Sequence, residues 1–353
     1  MSNTAYLILE NGTVFEGKRF GADGEVTGEI VFTTGMTGYL ETLTDQSYHG
    51  QIVLQTFPLI GNYGVIPSDF ESGGVGAKAY IVKYPCEHPS NFRSEGTLNA
   101  FLRDRGIVGL HGIDTRTLTK IIRQNGVMNG KITASPPTDA DRAEAKKYAV
   151  IGPVANVSRQ SVEKLSDGER RVALLDCGAK RGIANALATR GCEVWSFPYD
   201  APAEEIMKIN PRGVMFSNGP GDPADPVNDP IVETIRAITK NGVPIFGICL
   251  GHQLLALANG YKTQKLKFGH RGANQPVKET ATGRVYITSQ NHGYAVVSEK
   301  GSFTNVNDGT CEGMDYGVSF SVQFHPEAKG GPLDTGFLFD RFMERIEANG
   351  AGS

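Results

Sequence analysis

One cysteine of this chain is placed for covalent chemistry. Cys249 stands between Gly247 and Gly251, directly after an apolar run. This spacing is typical of a nucleophile elbow, where a strand turns sharply into a helix and presents a reactive side chain at the bend. Glycines relieve crowding at such a bend, and the free N–H groups of the following helix favour a thiolate and can hold an oxyanion. A free cysteine is often only a small buried hydrophobe, but the helix pattern over 250–258, closed by Gly260, favours the nucleophile.

A nucleophilic cysteine needs a base, which is usually distant in sequence and near in space. Among the seven histidines, His325 follows an alternating strand pattern over 319–324 and stands two residues before Glu327. In an extended segment, residues two apart point the same way, so the Glu327 carboxylate can orient the His325 ring. Alone, the pair is equally consistent with a loop histidine and a chance neighbour. Together with the elbow, it predicts a relay of Cys249, His325 and Glu327.

A third segment fits the same chemistry. The apolar residues 214–216 predict a strand, and Gly219, Pro220 and Gly221 follow it as a turn. Backbone N–H groups of such a turn are open to approach, as an anion or oxyanion site requires. Taken alone, the segment is equally an ordinary tight turn.

The three segments, 218–223, 246–253 and 325–327, resemble class I glutamine amidotransferases in residue type and order. The resemblance implies an α/β fold: an open, mostly parallel sheet with helices on both faces, and the elbow at the carboxyl end of a strand. The local pattern agrees, because strand and helix patterns alternate. They lie at 172–176, 180–190 and 192–197.

The N-terminal half predicts short, glycine-rich strands that begin with a hairpin over 6–15. Four of its segments resemble the N-terminal domain of carbamoyl-phosphate synthase small chains, which other class I amidotransferases lack. They are 34–39, 45–48, 60–64 and 112–116. We therefore expect three parts. They are a mixed, strand-rich N-terminal domain over 1–153, a linker over 154–170 and the amidotransferase domain over 171–353.

The resemblance implies a reaction and a partner. Glutamine is hydrolysed to glutamate and ammonia through a cysteine thioester, and the ammonia passes to the large subunit of carbamoyl-phosphate synthase. That subunit makes carbamoyl phosphate from bicarbonate and ATP, for arginine or pyrimidine synthesis or both. The chain has neither a phosphate-loop motif nor a dinucleotide fingerprint. No cofactor is therefore expected in this chain, and ATP and Mg are expected to be used by the large subunit.

The resemblance also implies the residues that contact L-glutamine. They are Ser47, Gly219, Gly221, Leu250, Gln253, Asn291, Gly293 and Tyr294. The N–H groups of Leu250 and Gly219 are implied as oxyanion donors. Asn291 to Tyr294 are expected in a loop after a strand over 285–289. For Gln253, one helical turn after the nucleophile, a solvated position and one that faces the elbow are equally consistent with the spacing.

Ser47 is implied to come from the N-terminal domain, which is also expected to dock the large subunit. Gln46 occupies the preceding position, where the family often has proline. We therefore expect the loop that positions Ser47 to be less rigid than usual.

Composition disfavours disulfide-rich, metal-binding, nucleic-acid-binding and membrane proteins. The five cysteines are odd in number and form no Cys-x-x-Cys pair. They therefore predict a reducing, cytoplasmic setting, no disulfide framework and no metal site. A net charge of −3 without basic clusters gives no indication of nucleic-acid or membrane binding. No apolar run approaches membrane-spanning length. His252 and His292 are expected to be structural.

Two alternative functions remain open. The chain is either a glutaminase that works alone or with a different synthetase, or a docking subunit without catalysis. The N-terminal segments disfavour the first alternative. The complete set of Cys249, His325 and Glu327 disfavours the second.

Overall fold

The chain folds as two compact units. The computed structural model describes residues 3–350, with one unit ending at Ile151 and the other beginning at Gly152. Each unit buries apolar clusters of its own. Within the described range, no helix combines the length and the apolar character needed to cross a membrane.

The first unit is rich in short strands. The strands are β1 (Thr4–Leu9), β2 (Val14–Gly21), β3 (Val26–Thr33), β4 (Gln51–Gln55), β5 (Leu59–Ile60), β6 (Ala79–Val82), β7 (Tyr84–Pro85), β8 (Val108–His111) and β9 (Met128–Thr133). The helices are α1 (Tyr39–Thr44), α2 (Leu98–Asp104), α3 (Thr115–Asn125) and α4 (Asp139–Lys147), with 3-10 turns at Gln46–Tyr48 and Pro67–Asp69.

Seven of these strands form a sheet that closes on itself, in the order β1-β2-β8-β6-β4-β3-β9 with β9 returning to β1. The strands β3, β4, β6 and β8 pair in parallel, and the other neighbours are antiparallel. The predicted hairpin is confirmed, because β1 pairs with β2 and places Leu7 opposite Phe15. Gly12 in its turn has φ of 91°, a conformation that side-chain-bearing residues rarely adopt. The mixed, strand-rich character predicted for this half is thus confirmed.

The second unit alternates strands and helices before it turns to antiparallel strands. The strands are β10 (Glu163–Lys164), β11 (Arg170–Asp176), β12 (Cys192–Pro198), β13 (Gly213–Phe216), β14 (Ile245–Ile248), β15 (Lys262–Glu279), β16 (Val285–Val297), β17 (Phe303–Asn305), β18 (Cys311–Tyr316) and β19 (Ser319–Val322). The helices are α5 (Pro153–Val157), α6 (Arg181–Ala188), α7 (Ala203–Met207), α8 (Asp229–Lys240), α9 (Leu250–Ala258) and α10 (Phe337–Gly350), with a 3-10 turn at Pro226–Asn228.

The centre of the second sheet is parallel, as predicted. The strands β12-β11-β13-β14-β19 pair in that order and in parallel. Alternate residues of β11 enter different cores, because successive strand side chains point to opposite faces. Leu174 packs on one face with helices α6 and α10, and Leu175 packs on the other with α7, α8 and α9. The predicted helices on both faces are therefore confirmed.

The sequence did not predict the antiparallel part of this sheet. Beyond β19, the order continues β18-β16-β15-β17, and every one of these pairings is antiparallel. Asn291 to Tyr294 were expected in a loop, but they lie within β16. The reason is a partner distant in sequence: β15 pairs Arg271 with Asn291 and Lys265 with Tyr294.

The stretch 154–170, predicted as a linker, is part of the second unit. Val154 in α5 is 1% exposed and packs in the core with α8 and α9. Arg159 donates from Nε to Asp176 Oδ2 at 3.2 Å, and β10 pairs with β12. The polar composition that predicted a linker belongs to a surface segment in which Val154 is buried, whereas Val162 and Leu165 are exposed.

Candidate active site

Cys249 occupies a strained bend between β14 and α9. Its φ of 55° and ψ of −102° are unusual for a residue other than glycine, and such strain persists only where surrounding structure imposes it. The Cys249 N–H donates to Val322 O of β19 at 2.9 Å, and α9 begins at the next residue. The side chain is 2% exposed. The elbow predicted from the sequence is therefore present.

The flanking glycines allow the elbow to pack closely. A Cβ at Gly251 would lie 2.3 Å from Phe216 O in β13, and a Cβ at Gly247 would lie 2.6 Å from Gly251 O. Both distances are too short for real contacts. Close approach of α9 to the sheet, rather than an unusual φ, is why glycine is required at these two positions.

His325 and Glu327 form a buried pair. His325 Nδ1 lies 2.7 Å from Glu327 Oε1, and both side chains are almost wholly enclosed. The pair was expected on an extended segment, but it lies in a turn after β19, in which the Ala328 N–H donates to His325 O at 3.3 Å. Because Nδ1 is directed at the carboxylate, Nε2 is the ring nitrogen available to the Cys249 sulfur.

The surroundings hold a proton on His325. Burial, the largest influence, and the positive charge of Lys180 both lower the pKa of the imidazole. The charge of Glu327 and side-chain hydrogen bonds to Cys249 and Glu327 outweigh them and raise the pKa of His325 to about 10. At neutral pH the ring is therefore an imidazolium beside a carboxylate and a sulfur.

Lys180 is a site residue that the sequence analysis missed. It is 7% exposed at the start of α6, and its N–H donates to Asn218 Oδ1 at 3.0 Å. Its charge acts on His325. Its position shortly after β11 could have predicted this role from the sequence, because parallel strands bring the residues beyond their carboxyl ends to one edge of the sheet.

Gly219 and Leu250, whose N–H groups are the predicted oxyanion donors, pack closely against each other. A Cβ at Gly219 would be 2.8 Å from Leu250 Cδ2 and 2.3 Å from Cys177 O, so the turn after β13 is tightly packed against the first residue of α9. The Leu250 N–H has no partner within the helix, because the first N–H groups of a helix never do. Gly221 has φ of 98°, which the turn after Pro220 requires.

Two of the predicted glutamine-contact residues in β16, Asn291 and Tyr294, accept hydrogen bonds from the elbow and from α9 through their carbonyl oxygens. The Cys249 thiol donates to Asn291 O at 3.6 Å. Gln253 is 3% exposed and donates from Nε2 to Tyr294 O at 2.9 Å and to Gln323 Oε1 at 2.9 Å. The solvated position that the spacing left open for Gln253 is therefore wrong, because the side chain is buried against β16. Gly293 lies in β16 between Asn291 and Tyr294, whose carbonyl oxygens accept these hydrogen bonds.

Ser47 lies in the first unit, within the 3-10 turn Gln46–Tyr48. Its N–H donates to Asp45 Oδ1 at 2.9 Å, and Gln46 donates from Nε2 to Ser72 Oγ at 2.7 Å. The glutamine that replaces the family's frequent proline thus anchors the turn by its side chain. The lower rigidity of this loop stays a prediction.

Known proteins resemble the chain along nearly its whole length. Residues 7–132 match the family described as carbamoyl-phosphate synthase small chain, CPSase domain, and residues 173–345 match glutamine amidotransferase class-I. The carbamoyl phosphate synthase small chain of Fusobacterium nucleatum is 51% identical, over 97% of this chain and 98% of that protein.

Two further relatives agree with this match. The carbamoyl phosphate synthase pyrimidine-specific small chain of Halalkalibacterium halodurans is 49% identical, over 97% of each chain. The carbamoyl phosphate synthase small chain of Clostridium perfringens is 50% identical, over 96% of this chain and 99% of that protein. Both resemblances predicted from the sequence motifs are confirmed. With its elbow cysteine and its two matched domains, this chain belongs to the carbamoyl-phosphate synthase small-chain family.

Proposed function

We propose that this chain hydrolyses L-glutamine to glutamate and ammonia through a thioester on Cys249. One observation carries the proposal: a strained, buried elbow cysteine and a buried His325 whose Nδ1 is held by Glu327, with the pKa of the imidazole raised by that carboxylate. An imidazolium beside a sulfur is the arrangement that cysteine nucleophiles use for acyl transfer.

In the first half of the reaction, the Cys249 thiolate attacks the side-chain carbonyl carbon of glutamine. The tetrahedral oxyanion accepts hydrogen bonds from the N–H groups of Leu250 and Gly219, each worth about 2.7 to 4 kcal/mol in comparable enzymes. His325 gives its Nε2 proton to the amide nitrogen. The carbon–nitrogen bond then breaks, ammonia leaves and the thioester remains.

In the second half, His325 is neutral and takes a proton from water at Nε2. The hydroxide attacks the thioester carbon, and collapse of the second tetrahedral intermediate releases the thiolate and the side-chain carboxyl of glutamate, whose proton passes to solvent. His325 is again an imidazolium, so the cycle closes without another acid or base from the protein. Glu327 keeps the ring in one orientation through both halves.

The substrate's amino and carboxylate groups need partners away from bulk water. We assign L-glutamine binding to Gly219, Gly221, Leu250 and Gln253 at the elbow, to Asn291, Gly293 and Tyr294 of β16, and to Ser47 of the first unit. Support comes from the positions of the elbow and β16 residues around the thiol. The buried ammonium of Lys180 adds a positive charge to this edge of the sheet.

The chain's partner in this proposal is the large subunit of carbamoyl-phosphate synthase, which receives the ammonia. Carbamoyl phosphate is then made there from bicarbonate and ATP with Mg, for arginine or pyrimidine synthesis or both. The absence of a phosphate-loop motif from the sequence supports the assignment of ATP to the partner. We further propose that the N-terminal unit is the part that docks the large subunit.

The nucleophile is tested by substitution. Cys249→Ala is expected to abolish glutamine hydrolysis, measured as glutamate released by the purified chain with the large subunit present. Cys86→Ser removes a half-buried thiol of the first unit and is the matched control, expected to retain activity. Undiminished hydrolysis by Cys249→Ala would rule out the thioester and leave a docking role.

The partner is tested by mixing. Hydrolysis by the chain alone is expected to be slow and to accelerate strongly when a carbamoyl-phosphate synthase large subunit is added, with bicarbonate-dependent ATP consumption appearing in the mixture. An unchanged rate would contradict the partner while leaving the glutaminase assignment intact.

A further inference from the structure

A second group of metal-ligating side chains lies on the antiparallel part of the sheet. His270 of β15, His292 of β16 and Glu312 of β18 place one ligand atom each within 4.8 Å of one another. Gln290 of β16 joins them through an oxygen 3.0 Å from His292 Nε2. All four are at least nine-tenths buried. We call these four residues the β15–β16 cluster.

The first observation that points to a cation site is a pair of acceptors that face each other. His292 Nδ1 lies 2.7 Å from the Tyr294 carbonyl oxygen, so Nδ1 carries the single proton of the neutral ring. Nε2 is then a lone pair, and it faces Gln290 Oε1, another lone pair. Two acceptors at this distance repel unless something positive lies between them.

The orientation of the Gln290 amide is fixed by its other end. Gln290 Nε2 donates to Glu312 Oε2 at 3.0 Å and to Thr288 Oγ1 at 3.2 Å. Turning the amide over would direct its oxygen at Thr288 Oγ1, whose hydroxyl already donates to Gln275 O at 2.8 Å and so has no proton to offer. The oxygen therefore stays toward His292.

The second sign is an orphaned nitrogen on His270. His270 Nε2 lies 2.8 Å from Asp308 Oδ2, which places the proton of the neutral ring on Nε2. Nδ1 is buried without a hydrogen-bond partner, at 3.4 Å from Glu312 Oε1. His270 Nδ1 and the Glu312 carboxylate therefore face each other at a distance that either a proton on Nδ1 or a shared cation would bridge.

We propose that the β15–β16 cluster binds one divalent transition cation of the Zn²⁺ type, through His270 Nδ1, His292 Nε2, Gln290 Oε1 and a carboxylate oxygen of Glu312. Two imidazoles and a carboxylate suit Zn²⁺ better than Mg²⁺ or Ca²⁺, which prefer oxygen ligands. Bonds of about 2.0 to 2.1 Å around a tetrahedral ion set its ligand atoms roughly 3.4 Å apart. The distances of 3.4 Å and 3.0 Å between neighbouring ligand atoms are close to that value.

The groups that hydrogen-bond to the proposed ligands have the arrangement that metal sites require. A metal-binding histidine usually donates its other N–H to a carboxylate or a carbonyl, which fixes its tautomer and orientation. Asp308 does this for His270, and the Tyr294 carbonyl does it for His292. Asn305 donates from Nδ2 to Glu312 Oε1 at 3.1 Å and holds the carboxylate.

The cation would also act on the proposed glutamine site. Gln290 and His292 flank Asn291, whose carbonyl accepts from the Cys249 thiol. Holding both neighbours through one ion fixes the backbone that presents this carbonyl. The ion is therefore a structural support for β16 and takes no part in the proton transfers.

The test measures binding directly. The full chain carrying Cys249→Ser, so that this thiol cannot compete, is freed of metal by chelation and titrated with Zn²⁺ in a calorimeter. Co²⁺ is added in parallel, because its visible spectrum reports coordination by nitrogen and oxygen. We expect about one ion per chain. His270→Gln and Glu312→Gln are each expected to weaken binding at least tenfold, and the exposed His88→Gln is the control that removes a histidine elsewhere.

A ligand variant that fails to fold would not decide the matter, so a second variant is included. Asp308 is partly exposed, and Asp308→Asn leaves the ligands in place while weakening the group behind His270. Loss of such a partner typically lowers metal affinity about 10- to 100-fold. A chain that binds no Zn²⁺, or binds it equally in His270→Gln, Glu312→Gln and Asp308→Asn, would overturn the proposal and leave a protonated His292 to resolve the facing acceptors.

Discussion

At the scale of single residues, the chemistry depends on how three buried side chains share charge. His325 lies between the Glu327 carboxylate at 2.7 Å and the Cys249 sulfur. Burial and Lys180 act against its protonation. The carboxylate is thus the main reason that the ring can serve as an acid at neutral pH.

Glu327→Gln should lower both the rate and the pKa of His325. Without the carboxylate charge, burial and Lys180 dominate, and the ring loses its proton well below the wild-type value of about 10. We expect glutamine hydrolysis to fall about 10²- to 10⁴-fold, the usual range for general acid–base catalysis. The high-pH limb of kcat/KM for glutamine should also move to lower pH.

The matched control for this experiment is Glu299→Gln, which changes an exposed carboxyl of the same unit. It is expected to leave both the rate and the pH profile unchanged. An unshifted high-pH limb in Glu327→Gln would show that Glu327 does not set the protonation of His325.

His252 should make the fold sensitive to acid. It is fully buried, with Nδ1 2.8 Å from Ser321 Oγ, and burial lowers its pKa to about 3. Below the ordinary value of 6.5 the unfolded chain binds a proton that the folded chain refuses. The free energy of unfolding therefore falls as pH decreases from about 6.5 to 3, by up to about 1.4 kcal/mol per pH unit from this residue.

The measurement for His252 is chemical denaturation at several pH values. His252→Asn should show a shallower loss of stability between pH 6.5 and 4 than the wild type, whatever its absolute stability. His88→Asn, at an exposed position, should keep the wild-type slope. If the free energy of unfolding fell equally with pH in the wild type and in His252→Asn, His252 would not be the source of the acid sensitivity.

At the scale of elements, the site depends on the close approach of α9 to β13. A Cβ at Gly251 would lie 2.3 Å from Phe216 O, and the backbone of a central strand cannot give way. In the same region, the Leu250 side chain packs closely against Gly219, and both residues are proposed oxyanion donors. Packing of these elements and catalysis are therefore linked.

Gly251→Ala should damage both stability and activity. Overpacking of this kind costs about 3 kcal/mol, and displacement of Leu250 should lower kcat for glutamine. Gly336→Ala is the control, because its Cβ would meet only Leu333 O at 3.6 Å and should change stability by less than about 0.5 kcal/mol. Thermal unfolding and glutamine hydrolysis check both. Equal effects of the two substitutions would contradict the role of close packing.

At the scale of the whole molecule, the division between the two units falls at residues 151 and 152. A fragment that begins at residue 152 keeps Val154 in its core and Arg159 on Asp176. A fragment that begins at residue 171 loses both, together with the β10 pairing. Burial of a valine side chain alone contributes about 1.5 to 3 kcal/mol.

The fragment 152–353 should therefore unfold at a higher temperature than the fragment 171–353. Circular dichroism of the two purified fragments measures the difference. Equal midpoints would show that residues 152–170 act as the linker that their polar composition predicts.

The sequence could predict much of the parallel core and the elbow. Strand and helix alternation, the spacing of Gly247, Cys249 and Gly251, and the closing Gly260 are local patterns. They depend on the period of apolar residues and on the freedom of glycine, and both can be recognised without knowledge of distant contacts. The predicted α9 and its end at Gly260 accordingly match the structure.

By itself, the sequence determined the residue types that could do chemistry, Cys249, His325 and Glu327, and the family whose motifs contain them. Only the tertiary structure decided that Asn291 and Tyr294 lie in a strand, that Lys180 acts on His325, and that His270, His292 and Glu312 meet. The physical reason is that strand register, burial and electrostatic neighbourhood are set by residues far apart in the chain. No local pattern in the sequence records which of them become neighbours.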